Sequence, residues 1–446
     1  MNSKVTPISG FPEWLPAQRI AEQHFLDTIR EVFELHGFAS VSTRSVEPVE
    51  RLSNQGEDAD KEIYAVSRLA GGDDAEARLG LHFDLTVPFA RYTLENAGKL
   101  TFPFRRYQIQ SCWRGERPQR GRYREFIQAD IDIVDAGELP FHYEVELPLV
   151  VADAFSRLPV GPYKIQVNNR KICEGFYRGL GIEDVTGTLR TVDKLDKIGP
   201  DKVKALLQSA GLSQEQADQC LALAAIATPD SSFVDQVRAL GVEHELLDEG
   251  LAQLKAIMDA AAEHAPGVLS AELKIARGLD YYTGTVYETV LNGHEDYGSI
   301  CSGGRYDALA SDGKRTYPGV GISIGVSRLL GLLIGEQGLT ASRETPTAVL
   351  VAVNDDDSRA ESMRIATALR ARDVPTLVAP KAAKFGKQIQ FADRRGIPFV
   401  WFPGSGTDGG DAVKDIRSGD QIDADRATWA PPTADLKAAL VSPPTD

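Results

Sequence analysis

Two neighbouring stretches alternate apolar and polar side chains with a period of two, the pattern of strands whose faces meet different surroundings. In residues 125–134, Ile127, Ala129, Ile131 and Ile133 point one way and Gln128, Asp130 and Asp132 the other. In residues 104–114, Tyr107, Ile109 and Trp113 oppose Gln108, Gln110, Cys112 and Arg114. The connecting loop carries Arg117, Arg120 and Arg122, flanked by Arg114 and Arg124. The expected element is an antiparallel hairpin, and on the simplest reading its polar face meets water. The same face sets guanidinium groups beside carboxylates and amides. Arginine forks suit phosphate oxygens, and carboxylates suit an ammonium group or an imidazole.

Elsewhere the period lengthens. Ile20, Phe25, Ile29 and Val32 recur at helical spacing across 16–36, with Pro16 near the first turn and Gly37 as the stop. A strand is expected next, from Phe38 to Thr43, ending toward Pro48. In RLGLHFDLTVPFARY, residues 78–92, Asp84 and Thr86 lie two apart. On a strand they share a face and can accept hydrogen bonds from an ammonium group. The plainer alternative makes Asp84 the cap of a helix that Pro88 helps to begin. From about Gly161 to Pro266 the chain is rich in Ala, Leu, Gln and Lys and carries no convincing catalytic cluster, so a helical module is expected there. Strand character returns over 272–291, where Tyr281 and Tyr282 read first as core aromatics.

In residues 317–333 a strand feeds a helix. Gly321, Ser323 and Gly325 alternate with Val320, Ile322 and Ile324, leaving one face nearly bare. A flat ring can lie on such a face, or a neighbour can pack tightly against it. The glycines do not form the dinucleotide fingerprint, and no G-x-x-x-x-G-K-[ST] phosphate loop occurs, so if ATP binds, it binds in another way. After a polar linker at 335–347, strands and helices alternate: AVLVAV, a helix from Ser358 to Arg372, TLVA, a helix around Lys384 to Arg395, and PFVWF. That order predicts a small α/β domain with a mainly parallel sheet.

A chain of 446 residues implies two or three domains. The sequence has no apolar run long enough to span a bilayer, and its first residues lack a signal-peptide core, so a cytoplasmic protein is the simplest expectation. Cys112, Cys173, Cys220 and Cys301 are scattered, which indicates neither a zinc site nor a disulfide scaffold. The net charge of −15 argues against indiscriminate nucleic-acid binding. A nucleic-acid substrate can still be approached through local basic patches, such as 114–124 and the segment with Lys381, Lys384, Lys387, Arg394 and Arg395.

The segments resemble, in order, the class II aminoacyl-tRNA synthetases. WRGERPQRGRYREFIQADID is similar to motif 2 in its histidyl-tRNA synthetase form, and the long helix, strand and proline before it resemble motif 1. RGLDYYTG and CSGGRYDAL resemble the two histidine-specific motifs, and GVGISIGVSRLL resembles motif 3. The resemblance implies an α+β catalytic domain over 1–334, built on an antiparallel sheet with a helical insertion at about 170–266. After the linker it implies an α/β anticodon-binding domain over 348–446. It also implies a homodimer without membrane attachment, and ATP-dependent joining of L-histidine to tRNA(His) through histidyl-adenylate, with Mg²⁺ carried by ATP.

Residue roles follow from the same resemblance. Arg114 and Arg277 would stabilise the reacting phosphoryl group, offsetting repulsion between two anions. Arg114, Glu116, Arg122 and Arg328 would hold ATP. Asp84, Thr86 and Gln128 would grip the α-ammonium, while Asp132 and Tyr282 bond the imidazole nitrogens. Tyr281 and Tyr306 would close the pocket, Arg277 would also touch histidine, and Gln119 would help read the acceptor end. His82 stands where the family usually has arginine. Three rivals share the fold: a non-catalytic paralogue that regulates ATP phosphoribosyltransferase, an inactive binding protein, and a synthetase for another amino acid.

Overall fold

A computed structural model describes residues 5–53, 61–69, 78–275 and 281–442. Arg277 lies outside the described residues, so its expected place is not addressed by the geometry below. Contacts divide the chain into two units. One has Leu26–Gly331 as its body together with the stretch up to Pro12; the other joins Glu13–Phe25 to Leu332 and beyond. Among the described residues no helix is long and apolar enough to cross a membrane.

The strands of the first unit are β1 (Ala39–Ser40), β2 (Val46–Pro48), β3 (Ala65–Val66), β4 (Leu79–Leu81), β5 (Phe104–Trp113) and β6 (Glu125–Val134). They continue with β7 (Tyr163–Asn169), β8 (Ala227–Thr228), β9 (Leu269–Glu272), β10 (Thr285–Leu291), β11 (Cys301–Tyr306) and β12 (Gly319–Gly325). Nine described strands form one sheet in the order β1-β5-β6-β12-β11-β10-β7-β9-β8, and β2-β4-β3 form a small separate sheet. From β5 through β7 every pairing in the large sheet is antiparallel. The alternation in β5 and β6 therefore matches two strands paired along their full length.

The expectation that the polar face meets water is overturned. Gln108, Asp130 and Asp132 are as buried as Ala129, Ile131 and Ile133 on the other side. Helix Thr86–Asn96 accounts for this at one end, because its Phe89 packs with Val134, Tyr306 and Val286, all of which lie on the polar face. Helix His142–Ser156 serves the apolar face, where the Tyr287 hydroxyl donates to the Glu144 carbonyl.

Helix Pro16–Leu35 ends as expected, with Gly37 at φ +77° supplying the left-handed turn. The strand expected over 38–43 shrinks to the two residues of β1, which lie on the sheet edge and pair only with β5. Asp84 and Thr86 do not share a strand. β4 stops at Leu81, and Thr86 opens helix Thr86–Asn96, with Pro88 in its first turn, where an N–H has no helical partner to lose. Residues 163–169, expected to begin the helical module, are β7 in the middle of the sheet; helices then run from Arg170 to His264.

In the second unit β13 (Thr340–Ala341) pairs with β19 (Leu440–Val441). The remaining strands are β14 (Val349–Val351), β15 (Thr376–Val378), β16 (Phe399–Phe402), β17 (Asp411–Asp415) and β18 (Gln421–Ala424), in the order β15-β14-β16-β17-β18. β14 is parallel to both neighbours, and β17 and β18 are antiparallel additions. Val349 and Val351 face helix Arg359–Arg370 through Ile365 and Leu369, whereas Leu350 faces helix Phe385–Arg394 through Ala392. That two-sided burial is why the strand reads as a continuous apolar run.

One polar network ties helix His142–Ser156 to the sheet. Glu144 accepts from Arg305 at 2.8 Å with one oxygen and from the Thr285 hydroxyl and amide with the other. Removing one partner of such a pair leaves an uncompensated charge. Glu144→Ala is expected to lower stability by about 3 kcal/mol in thermal or urea unfolding; a loss within 0.5 kcal/mol, roughly that of a surface substitution, would show the network is dispensable.

Candidate active site

Strand register lays out the floor of the site. Arg106 on β5 pairs with Asp132 on β6, which pairs with Gly321 on β12, which pairs with Gly304 on β11. The next row is Gln108, Asp130, Ser323 and Ser302, and the row beyond begins Gln110, Gln128 and Gly325. Paired residues share a face, so β5, β6, β12 and β11 present these side chains on one surface.

The first row is filled by the protein itself. Arg106 is fully buried, meets Asp132 Oδ2 at 2.6 Å, and lies 4.3 Å from the centre of the Phe89 ring. The Tyr306 hydroxyl donates to Asp132 Oδ1 at 2.8 Å. A Cβ on Gly321 would come within 2.1 Å of that oxygen, and one on Gly319 within 2.5 Å of the Tyr306 ring. This stretch of the bare strip is thus no shelf for a flat ring. It is space already taken by Asp132 and Tyr306.

The second and third rows open into two cavities. The smaller, about 210 Å³, is lined by Thr86, Asp130, Asp132, Tyr282, Tyr306 and Ser323, among others. Tyr281 stands against Tyr282 and Tyr306, at ring-centre distances of 5.0 and 6.1 Å. Three buried acceptor atoms in this region have no partner among the described residues: Asp84 Oδ2, Gln128 Oε1 and Asp130 Oδ1. The other oxygen of Asp84 accepts from the Val87 amide at 3.1 Å, so the capping role and a free acceptor coexist in one carboxylate. The Gln128 amide donates to the Ser323 hydroxyl, which turns its carbonyl oxygen the other way.

Burial raises the carboxyl groups. Asp84 and Asp130 are pushed up to about 6 and Asp132 to about 7, with Arg106 opposing the shift at all three. His82 is also fully buried and its pKa is held down by burial. Its Nε2 donates to the Ser111 carbonyl at 2.8 Å, and its ring stands 5.5 Å from that of Trp113. It is therefore a neutral packing residue and supplies no cation to the site.

The larger cavity, about 590 Å³, is lined by Arg114, Glu116, Arg122, Phe126, Gly325 and Arg328, among others. Ser302 and Ser323 belong to the linings of both cavities. Arg114 donates from Nε to the Phe83 carbonyl at 3.0 Å, which aims its fork, and its guanidinium carbon lies 5.0 Å from the Phe126 ring centre. Glu116 accepts from Arg122 at 3.0 Å. Arg328 donates to the Gly121 and Ser299 carbonyls at 2.9 and 2.6 Å, so it also anchors the loop between β5 and β6.

Of the expected residues, Thr86, Asp132, Tyr282 and Tyr306 meet in the smaller cavity; Arg114, Glu116, Gln128, Arg122 and Arg328 meet in the larger. Gln119 stands apart, exposed at the loop tip, where its backbone closes a turn with Arg122. Sequence reading assigned nothing to Arg106 or Asp130, although both lie on the polar face of the alternating pattern.

The histidyl-tRNA synthetase family model matches residues 10–329. A histidine–tRNA ligase from Micrococcus luteus is 58% identical over 97% of this chain and 98% of its own length. One from Cutibacterium acnes is 57% identical over 98% and 99%. A crystal structure of histidyl-tRNA synthetase from Nostoc superposes with a TM-score of 0.84 at 34% identity, covering 95% of this chain and 97% of that one. A Bacillus halodurans structure described as an ATP phosphoribosyltransferase regulatory subunit/histidyl-tRNA synthetase shares the fold, with a TM-score of 0.73 at 18% identity, over 88% and 97% of the two chains.

The raised carboxyl groups carry a pH signature. With folded pKa values above the ordinary 3.8, the folded chain holds more protons than the unfolded one between about pH 4 and 7, so these groups weaken folding as pH rises. Asp84→Asn keeps a capping oxygen and removes one such group. The variant's thermal midpoint is expected to gain on the natural protein between pH 5.5 and 8, and a constant difference across that interval would contradict the assignment.

Proposed function

The chain belongs to the histidyl-tRNA synthetase family, and from that premise we propose how its side chains divide the work. The enzyme is a histidine–tRNA ligase: it joins L-histidine to ATP as histidyl-adenylate, releasing pyrophosphate, and transfers the histidyl group to tRNA(His). One observation supports the site assignment above the rest. A small cavity lined by Asp130 and Asp132 shares Ser302 and Ser323 with a larger one lined by Gln128 and by guanidinium groups, an arrangement that suits a cationic amino group joined to an anionic nucleotide.

In this reading the small cavity takes histidine. Asp84, Thr86 and Gln128 hold the α-ammonium. Asp132 and the Tyr282 hydroxyl bond the two imidazole nitrogens, one of which donates while the other accepts. Arg106 and Tyr306 fix the Asp132 carboxylate in place, and Tyr281 helps to wall the pocket. A site built on such bonds discriminates strongly, because an analogue lacking a partner leaves buried groups unpaired.

The large cavity takes ATP. Arg114 sits nearest the junction in function: it steadies the carboxylate and the α-phosphate as the two anions approach. Arg277 is assigned to the same task from its motif. Glu116 and Arg122 contact the nucleotide after their mutual ion pair opens, and Arg328 supports the γ-phosphate. Mg²⁺ would supply charge neutralisation across the phosphates. The Glu116 carboxylate at the cavity wall is an oxygen donor that suits such an ion. Gln119 is assigned to the acceptor end of tRNA, which its exposed position at the loop tip favours. The second unit is assigned to anticodon binding through its basic segment at 381–395, and the working assembly is a homodimer.

Exchange of labelled pyrophosphate into ATP tests the assignment. Histidine is expected to drive it, and Arg114→Ala to slow it by on the order of a hundredfold, as loss of a charge-stabilising donor does elsewhere. Exchange driven by proline or threonine, or an undiminished rate in the variant, would sink the reading.

A further inference from the structure

We propose that Asp130 is a further specificity-determining residue, its free oxygen Oδ1 receiving the α-ammonium of the amino acid as a second counter-charge beside Asp84. The inference rests on the reading of the small cavity as the histidine site. Asp130 is 1% exposed, lines that cavity, and has an oxygen without a partner among the described residues.

Its neighbours explain why that oxygen is free. Across the ladder on β5 stands Gln108, but both N–H bonds of its amide are committed, to Thr43 Oγ1 at 2.9 Å and Gln110 Oε1 at 2.8 Å. Arg106, the nearest buried cation on that strand, is spent on Asp132. On the β12 side the Ser323 hydroxyl helps to hold the Asp130 carboxylate, yet it brings no charge. Arg106 and Arg114 lower the Asp130 pKa through their fields, but no ion pair to Asp130 forms among the described residues, and a buried carboxylate without a paired cation is costly unless something offsets it. Here the ligand would do so.

The count of groups agrees. An ammonium has three N–H donors, and the three buried acceptors Asp84 Oδ2, Gln128 Oε1 and Asp130 Oδ1 have no donor among the described residues, so Thr86 is left as a secondary, shared contact. Gln128 and Asp130 are two apart on one strand, so both point from β6 to the same side. An amide and two carboxylates favour a cationic amino group over a neutral or anionic substituent in its place.

Asp130→Asn preserves shape and removes the charge. In pyrophosphate exchange it is expected to raise the KM for histidine about tenfold to a hundredfold, as loss of a charged hydrogen bond does, with the KM for ATP within about twofold of its starting value. Inhibition by histidinol, which keeps the ammonium, should weaken by the same factor. Inhibition by imidazole propionate, which lacks it, should not change. The ligand-free variant should melt at or above the temperature of the natural protein, because an uncompensated charge has gone. An unchanged KM for histidine, or equal weakening of both inhibitors with a lower melting temperature, overturns the proposal. If the natural protein shows no histidine-dependent exchange, the underlying reading fails first, and the two failures are told apart.

Discussion

The buried ion pair between Arg106 and Asp132 is the constraint around which this sheet is assembled. A strand face carrying a guanidinium, two carboxylates and several amides cannot leave water unless its charges find partners. Arg106 reaches Asp132 across the β5–β6 ladder and presents its flat side to Phe89 on the covering helix, so a single side chain neutralises one carboxylate and carries apolar packing. Tyr306 adds a third strand by donating to the same carboxylate. The absence of side chains at Gly319 and Gly321 is the steric counterpart, since these two groups fill the space above β12.

With that corner closed, the remaining polar groups are left incomplete in two different ways. On one side, carboxylate and amide oxygens are buried without donors among the described residues. On the other, three arginines share the single carboxylate of Glu116, and two of them are otherwise held by carbonyls. Arg114 is held by a carbonyl and stands 3.9 Å from the Glu116 carboxylate, and Arg328 is held by two carbonyls, which orient it without cancelling its charge. The pKa of Arg328 is lowered by burial and by Arg122 and Arg114 nearby, the signature of crowded like charge. A ligand with a cationic end and an anionic end relieves both halves at once, and low local dielectric strengthens each contact.

Legibility followed the distance over which a feature is decided. Alternation in β5 and β6, the Gly37 stop, the strand-to-helix turn before Arg328 and the βα order of the second unit are local, and each appeared where the pattern placed it. The burial of the polar face was not legible, because it depends on β12 and β11, which are distant in sequence, and on helix Thr86–Asn96 folding back over the sheet, which its own sequence does not specify. For Asp84 the pattern left a strand position and a helix cap both open, and the bond it accepts from the Val87 amide decides for the cap. Asp130 has no role in the motif resemblance, which assigns its neighbours Gln128 and Asp132. Its period-two spacing from both was a usable signal, and motif resemblance alone passed over it.

Side-chain alternation and helix stops are decided within a few residues, so the sequence by itself determined many of the local elements and the chemical vocabulary of arginine, carboxylate and tyrosine. Which of those groups would be satisfied by the protein and which would be left open was decided only by tertiary structure. Desolvation and hydrogen-bond partnership are properties of groups brought together from separate strands. Arg106 and Asp132 meet across one ladder and cancel; Asp130, two residues away on the same face, meets an amide already engaged and keeps its charge.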